Sequence, residues 1–270
     1  KQPSARYASA DAMRADLEAT AGILVDPHTL VRPGDSLAPP PPPAHHAAPG
    51  SSPMISPAQI LRGPRVELVC DAWPGVVQLL RGACLVVGRE AEGDVDVALR
   101  CLPPGDEAQA RTRALSRRHA RFAWDGAQQR GLVEDLGSRA GTFLLGMPVT
   151  GRPMALRSGD EVSFGKHVRV RYECDPAPDA AGARWIKLSR TDSMGADQVH
   201  LLVLREAKIS SGVDAALRAP AALAAGDVLR MVPVGDNFGV LSLGAPEPAP
   251  LVDGQTLRVG GLRISVAIDG

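Results

Sequence analysis

Three short runs of this 270-residue chain concentrate the hydrogen-bond donors that hold an oxyanion. They are Gly88-Arg89, Ser116-Arg117-Arg118-His119 and Asp135-Leu136-Gly137-Ser138-Arg139-Ala140-Gly141-Thr142-Phe143. A dianion such as phosphate needs several donors converging from separate loops, with one guanidinium supplying charge-assisted, bidentate hydrogen bonds. Loops at one end of a rigid scaffold provide that convergence. The chain has 30 Lys plus Arg against 30 Asp plus Glu, a net charge of zero. No global field then draws it toward nucleic acid or an anionic membrane, so any anion recognition has to be local.

Other chemistries are poorly supplied. Gly34-Asp35-Ser36-Leu37 matches a lipase or esterase nucleophile block, and Asp197-Gln198-Val199-His200 has the Asp-x-x-His spacing such hydrolases use. That serine lies in a proline-rich stretch with no strand and helix to hold it and no oxyanion hole. His45-His46, in the same stretch, reads as solvated filler and not as a metal site. The four cysteines, Cys70, Cys84, Cys101 and Cys174, form no C-x-x-C pair or Cys/His cluster. A reducing cytoplasm, no metal and no cofactor are therefore expected. The apolar stretches stop well short of the roughly 18 residues a membrane span requires, and no signal core follows a basic stretch. With no Gly-rich nucleotide loop, His-Arg-Asp or Asp-Phe-Gly anywhere, this sequence is not expected to be an enzyme.

The elements that must position the donor runs are β-like. Short apolar runs starting at Val66, Val76, Cys84, Val95, His119, Gly131, Glu161 and Val168 are separated by Gly, Pro and Asp. Many short strands with such turn signals predict an all-β sandwich. A Pro/Ala/Gly break at 176–182 follows, and the same grammar returns from Trp185 to Ile268. The halves also match each other: Gly159-Asp160-Glu161-Val162 and onward aligns without a gap to Gly254-Gln255-Thr256-Leu257, and Val95-Asp-Val-Ala-Leu-Arg100 matches Val213-Asp-Ala-Ala-Leu-Arg218. Tandem sandwiches are the expected architecture. Ahead of them, residues 10–21 read as a short helix, and the Pro-rich run Pro39 to Pro43 as part of an extended spacer. The expected organisation is a helical stub (1–26), a Pro/Ala-rich linker (27–62), a first sandwich (63–174), a linker (175–182) and a second sandwich (183–270). The stretch between Leu99 and Ser116 is expected to be a solvated loop carrying Arg111 and Arg113, or else a source of positive potential beside the donor runs.

The three runs, in order, resemble the Gly-Arg, Ser-x-x-His and Asp-Leu-Gly-Ser-x-Asn-Gly-Thr-Phe motifs of forkhead-associated (FHA) domains, followed by the Leu-x-x-Gly-Asp of that family at Leu156 to Asp160. The resemblance covers residues 63–174. It implies binding of a phosphothreonine peptide on another protein, with Arg89 and Ser116 on the phosphate and Arg117 and Arg139 adding donors. Gly88, His119, Gly141 and Thr142 would support the site, His119 by buttressing the loop that carries Ser116. Where the family has Asn before Gly-Thr, this chain has Ala140, which has no side-chain donor or acceptor to hold the peptide backbone. Losing one or two such bonds weakens binding by about 1–3 kcal/mol.

The second half lacks these runs: it reads Lys208-Ile-Ser-Ser-Gly212 at the matching strand, and Ala221 to Val228 holds no Ser-x-x-His. It is expected to be a degenerate FHA-like domain. The segment Pro3 to Leu17 resembles the last helix of bacterial Ser/Thr protein kinases, which implies that Lys1 lies inside a kinase domain whose catalytic parts are absent from this sequence, and that a Ser/Thr kinase or its substrates are partners. The competing expectation is a scaffold in which both sandwiches interact with partners without reading phosphate, resting on Ala140 and the degenerate second half.

Overall fold

The computed structural model describes residues 65–73, 75–90, 95–179, 182–193, 198–219, 223–224, 226–242 and 244–269. The helix expected over 10–21, the 27–62 linker, the kinase-like segment, Ser36 and His45-His46 lie outside the described residues.

Alternation of apolar and polar side chains builds the strands. The first half contains β1 (Arg65–Cys70), β2 (Val76–Leu80), β3 (Cys84–Gly88), β4 (Val97–Ala98), β5 (Ala120–Asp125), β6 (Arg130–Asp135), β7 (Thr142–Leu144), β8 (Met147–Pro148), β9 (Met154–Leu156), β10 (Glu161–Phe164) and β11 (Val168–Cys174). The second contains β12 (Trp185–Arg190), β13 (Gln198–Val203), β14 (Ala207–Ser210), β15 (Leu217–Arg218), β16 (Val228–Val234), β17 (Asn237–Leu241), β18 (Ala249–Pro250), β19 (Thr256–Val259) and β20 (Leu262–Asp269). Among the described residues the fold is all-β, as the pattern predicts, apart from one short helix. That helix, α1 (Asp106–Ala114), replaces the expected loop between Leu99 and Ser116. Asp106 and Glu107 in its first turn and Arg111 and Arg113 in its last complement the helix dipole. Only Ala108 is buried, so no apolar period announced it.

The strands form a ten-stranded sheet, in the order β19-β20-β1-β2-β13-β12-β11-β10-β7-β8, and two five-stranded sheets, β4-β3-β5-β6-β9 and β15-β14-β16-β17-β18. At its centre β2 and β13 run parallel, with Gln78 opposite His200 and Leu79 opposite Leu201. Two cores lie on opposite faces of the long sheet. Val66, Leu68, Val77, Leu79, Leu201 and Val203 face the second half's five-stranded sheet. Ile186, Leu188, Leu202, Val170 and Tyr172 face the first half's.

Of the two sequence matches, that of Val95–Arg100 to Val213–Arg218 is two residues out of step, since β4 and β15 place Val97 and Leu217 in equivalent positions, while that of Gly159 to Gly254 becomes matched hydrogen bonds. Gly159 N donates to Tyr172 O and Tyr172 N to Asp160 O; Gly254 N donates to Val266 O and Val266 N to Gln255 O. The Asp160 carboxylate accepts from Arg157 N at 2.7 Å, and the Gln255 side-chain oxygen accepts from Val252 N at 3.0 Å. Each half also opens with a hairpin (β1–β2, β12–β13) that leads through a short link into its five-stranded sheet. Those opening hairpins are exchanged. β12 pairs with β11 of the first half, and β1 pairs with β20 of the second. Packing therefore divides the strands differently from the segments 63–174 and 183–270, and Ile55–Gly270 forms one compact unit. Within the segment expected as a linker, Asp175 is buried and paired with Arg184, whose Nη2 donates to Asp175 Oδ1 at 2.8 Å.

Candidate functional site

The site is built where β3 ends, just before β5 begins. Gly88 closes β3 so tightly against the Arg117 carbonyl that a Cβ would lie 1.7 Å from its oxygen, which only glycine tolerates. Arg89 N donates to Ser116 O at 3.2 Å and His119 N to Val87 O at 2.8 Å, stitching the two loops together.

His119 is fully buried and joins the second loop to the third. Its Nδ1 accepts from Ser116 N at 3.2 Å, so Nε2 carries the proton and donates to Gly141 O, also at 3.2 Å. Burial pushes its pKa below the ordinary imidazole value, opposed in part by the Gly141 carbonyl and Asp135, and the ring is neutral. It meets Phe164 edge-on at 5.2 Å. The Ser116 hydroxyl accepts from Arg139 N at 2.9 Å, tying the third loop to the same point.

Asp135 folds the third loop. Its carboxylate accepts from Gly137 N (2.9 Å), Ser138 N (2.8 Å), Ser138 Oγ (2.6 Å) and Thr142 Oγ1 (2.6 Å). Burial raises its pKa, but the Ser138 and Thr142 bonds outweigh burial and hold it below the usual carboxylate range. Gly141, at φ 79°, makes the left-handed step that presents its carbonyl to His119. Ala140 sits beside Gly165, whose N–H donates to Gly141 O at 2.8 Å.

Arg89, Ser116, Arg117 and Arg139 all line one open cleft of about 860 Å³, together with Gly137, Glu90, Arg113 and Arg118. Arg117 and Arg139 are exposed, while Arg89 and Ser116 are half-buried. Ala140, His119 and Thr142 do not line the cleft; His119 and Thr142 are buried, and Ala140 is half-buried. Sequence reasoning did not single out Glu90 and Arg118, and raised Arg113 only as an alternative. The signal for Arg118 was its adjacency to Arg117. For Arg113 it was the charge pattern of α1. Arg111, from the same helix, turns back to pair with Glu107. Glu90 brings a negative charge in: its Oε1 is 2.8 Å from Arg89 Nε, an ionic contact not aligned as a hydrogen bond.

The corresponding region of the second half is differently furnished. Lys208 pairs with Asp214 at 3.0 Å, the Ser210 hydroxyl accepts from Gly212 N at 3.1 Å, and among the described residues no hairpin stands in for β7–β8. His200, from the hydrolase-like match, is buried in β13, bonded to Gln78 at 3.0 Å, with its pKa pushed down to about 3 by burial and Arg190. Among the described residues no cluster of three His, Cys, Asp or Glu could hold a metal ion, and no helix is long and apolar enough to cross a membrane.

The FHA domain family model matches residues 85–165. The FhaA FHA domain, solved with the intracellular domain of another protein, is 30% identical over 37% of this chain and 91% of its own, with a TM-score of 0.24. Residues 85–165 are an FHA domain. An FHA domain solved in a study of phosphothreonine-dependent interactions is 29% identical over 37% of this chain and 88% of its own, with a TM-score of 0.24. One from Chlamydia trachomatis is 25% identical over 37% and 89%, with a TM-score of 0.25. The assignment rests on the family model. No curated protein matches the chain. The matched FHA segment runs from β3 to β10 and takes in α1 and all three donor loops. Both exchanged hairpins lie outside it.

Proposed function

We propose that the FHA domain of this chain binds a phosphothreonine segment of another protein, with the phosphate held by Arg89 and Ser116 and flanked by Arg117 and Arg139. The observation that carries the reading is the convergence of these four residues, from three separate loops, on one cleft. Backbone and side-chain hydrogen bonds lock those loops to one another, so the donors are preorganised and little ordering entropy is lost on binding. Gly88, His119, Gly141 and Thr142 act as the frame. One neighbour was solved in a study of phosphothreonine-dependent FHA interactions, which supports the choice of phosphoresidue. The second half, with its matched hydrogen bonds and lost donors, is a degenerate FHA-like domain. A bacterial Ser/Thr kinase, or a substrate of one, is the partner class suggested by the N-terminal resemblance.

Titration of a degenerate phosphothreonine peptide library against its dephosphorylated twin tests this directly. Preference for the phosphorylated form is expected, and equal affinity sinks the reading. Ala140 favours a second reading, a phosphate-independent scaffold, because it removes a side-chain contact to the peptide backbone; in that case phosphatase treatment of a captured partner changes nothing.

A further inference from the structure

Arg190 lies in the second half by sequence, yet its side chain is fully buried against the first half's core region. It reaches there because β12 has taken its place beside β11. Asp192 meets its guanidinium twice, at 2.8 Å to Nε and 2.8 Å to Nη2. Nη1 donates across to the Arg100 carbonyl at 2.9 Å. The next residue, Cys101, donates its N–H to Thr112 Oγ1 at 3.0 Å, and Thr112 is in the last turn of α1. Arg113, beside Thr112, lines the cleft. A short run of contacts thus links a buried arginine of the second half to a cationic residue of the site. Helix α1 needs such an anchor, because a nine-residue helix with one buried side chain is marginal by itself. A buried ion pair is weak evidence for stability, but it does fix geometry.

We propose that Arg190 is a positioning residue for the phosphopeptide cleft: by holding the Arg100–Cys101 segment it orients α1 and aims Arg113 at acidic groups flanking the phosphothreonine. The second half is then a built-in part of the first half's recognition site. This rests on the phosphopeptide reading above.

The test uses the full chain and two probes, a phosphothreonine peptide flanked by glutamates and its dephosphorylated twin. Arg190→Met leaves Asp192 buried without its cation and risks misfolding, so it is combined with Asp192→Asn; Thr112→Val cuts the tie to α1 without touching a charge. Both should speed amide hydrogen exchange in residues 106–114 while leaving β5 and β6 unchanged. Arg113→Ala should weaken the phosphopeptide about two- to fivefold, the range of an exposed charge pair, and flatten the salt dependence of binding. Arg190→Met/Asp192→Asn should produce a similar loss, and adding Arg113→Ala to it should cost nothing further. Fully additive losses, or unchanged exchange in α1, overturn the positioning role. A parent chain that does not distinguish the two peptides instead sinks the phosphopeptide reading, and the role of Arg113 with it.

Discussion

Arg89 and Glu90, adjacent in sequence, both line the cleft and meet there, with Glu90 Oε1 2.8 Å from Arg89 Nε. Both side chains are partly exposed, at 32% and 44%, so the pair is weak in itself. Its consequence is competitive. A phosphate bound to Arg89 must share the guanidinium with a carboxylate or displace it, and the two anions repel. Glu90→Gln should tighten phosphopeptide binding about two- to fivefold, more at low salt than at high. Calorimetry at two ionic strengths checks it; weaker binding would mean that Glu90 orients Arg89 and does not compete.

Arg89→Ala should remove phosphopeptide binding, a loss of about 2–5 kcal/mol, since the dianion keeps its desolvation but loses its principal charge partner. Arg89→Lys should recover only part, because lysine keeps the charge without the planar fork. The side chain is at a strand end and outside both cores, so the unfolding temperature should shift little in either variant. Unchanged capture of a partner by Arg89→Ala would favour the scaffold.

Ala140→Asn should strengthen binding by restoring a side chain able to pair with peptide backbone. Ala140 is half-buried beside Gly165, and its Cβ position is kept by asparagine, a residue turns tolerate well. A gain of about 1–3 kcal/mol is the ceiling for one or two new bonds. No gain by titration would show that the peptide does not pass over this loop.

Acid should destabilise the fold before the carboxylates titrate. His119 and His200 both have pKa values lowered by burial, His200 to about 3. Below the ordinary imidazole value the unfolded chain binds protons that the folded chain refuses, so stability is full above that value and falls as pH drops toward the folded pKa. Unfolding temperature measured from pH 7.5 to 5 should decline, and His200→Gln, which keeps a donor for Gln78, should flatten the slope. An equal slope in the variant would mean that His200 is not what the acid acts on.

What could be read from the sequence was what local pattern encodes. The three donor loops carry their residues within a few positions of one another, and the alternation in β1, β10 and β11 is clear. Strands β7, β8 and β9 are two or three residues long, too short for a period to show. Helix α1 has almost no apolar face, and Glu90 is unremarkable until its distance to Arg89 is seen. The hairpin exchange is different again. Pairing between distant strands is a tertiary choice, and β1 would present the same alternating face to either core. One clue was present: Trp185-Ile186 and Leu201-Leu202-Val203 put apolar residues on both faces, the pattern of strands covered on both sides.

That exchange can be tested by chemistry at matched positions. Glu67 of β1 lies opposite Ala267 of β20, on the far side of the strands from the core. Because Tyr172 and Val266 occupy equivalent places in their halves, an unexchanged β1 would instead bring Glu67 opposite Glu173 of β11. In the exchanged fold that position faces Lys187 of β12, and Lys187 Nζ lies 2.9 Å from Glu173. Glu67→Cys/Ala267→Cys should therefore oxidise readily to a disulfide within one chain, register partners being spaced within reach of the bond. Glu67→Cys/Glu173→Cys should not, with Cys174→Ser included in both to remove the neighbouring thiol. The second half should also fail alone: residues 183–270 leave β12 and β13 with Ile186, Leu188 and Leu202 uncovered on one face, the face that now fills the first core. Burial of three such side chains is worth about 1.5–3 kcal/mol each, so that segment should aggregate or bind a hydrophobic dye where the whole chain does not. Preferential bridging of positions 67 and 173, together with a soluble, dye-negative 183–270, would show that each hairpin stays with its own half.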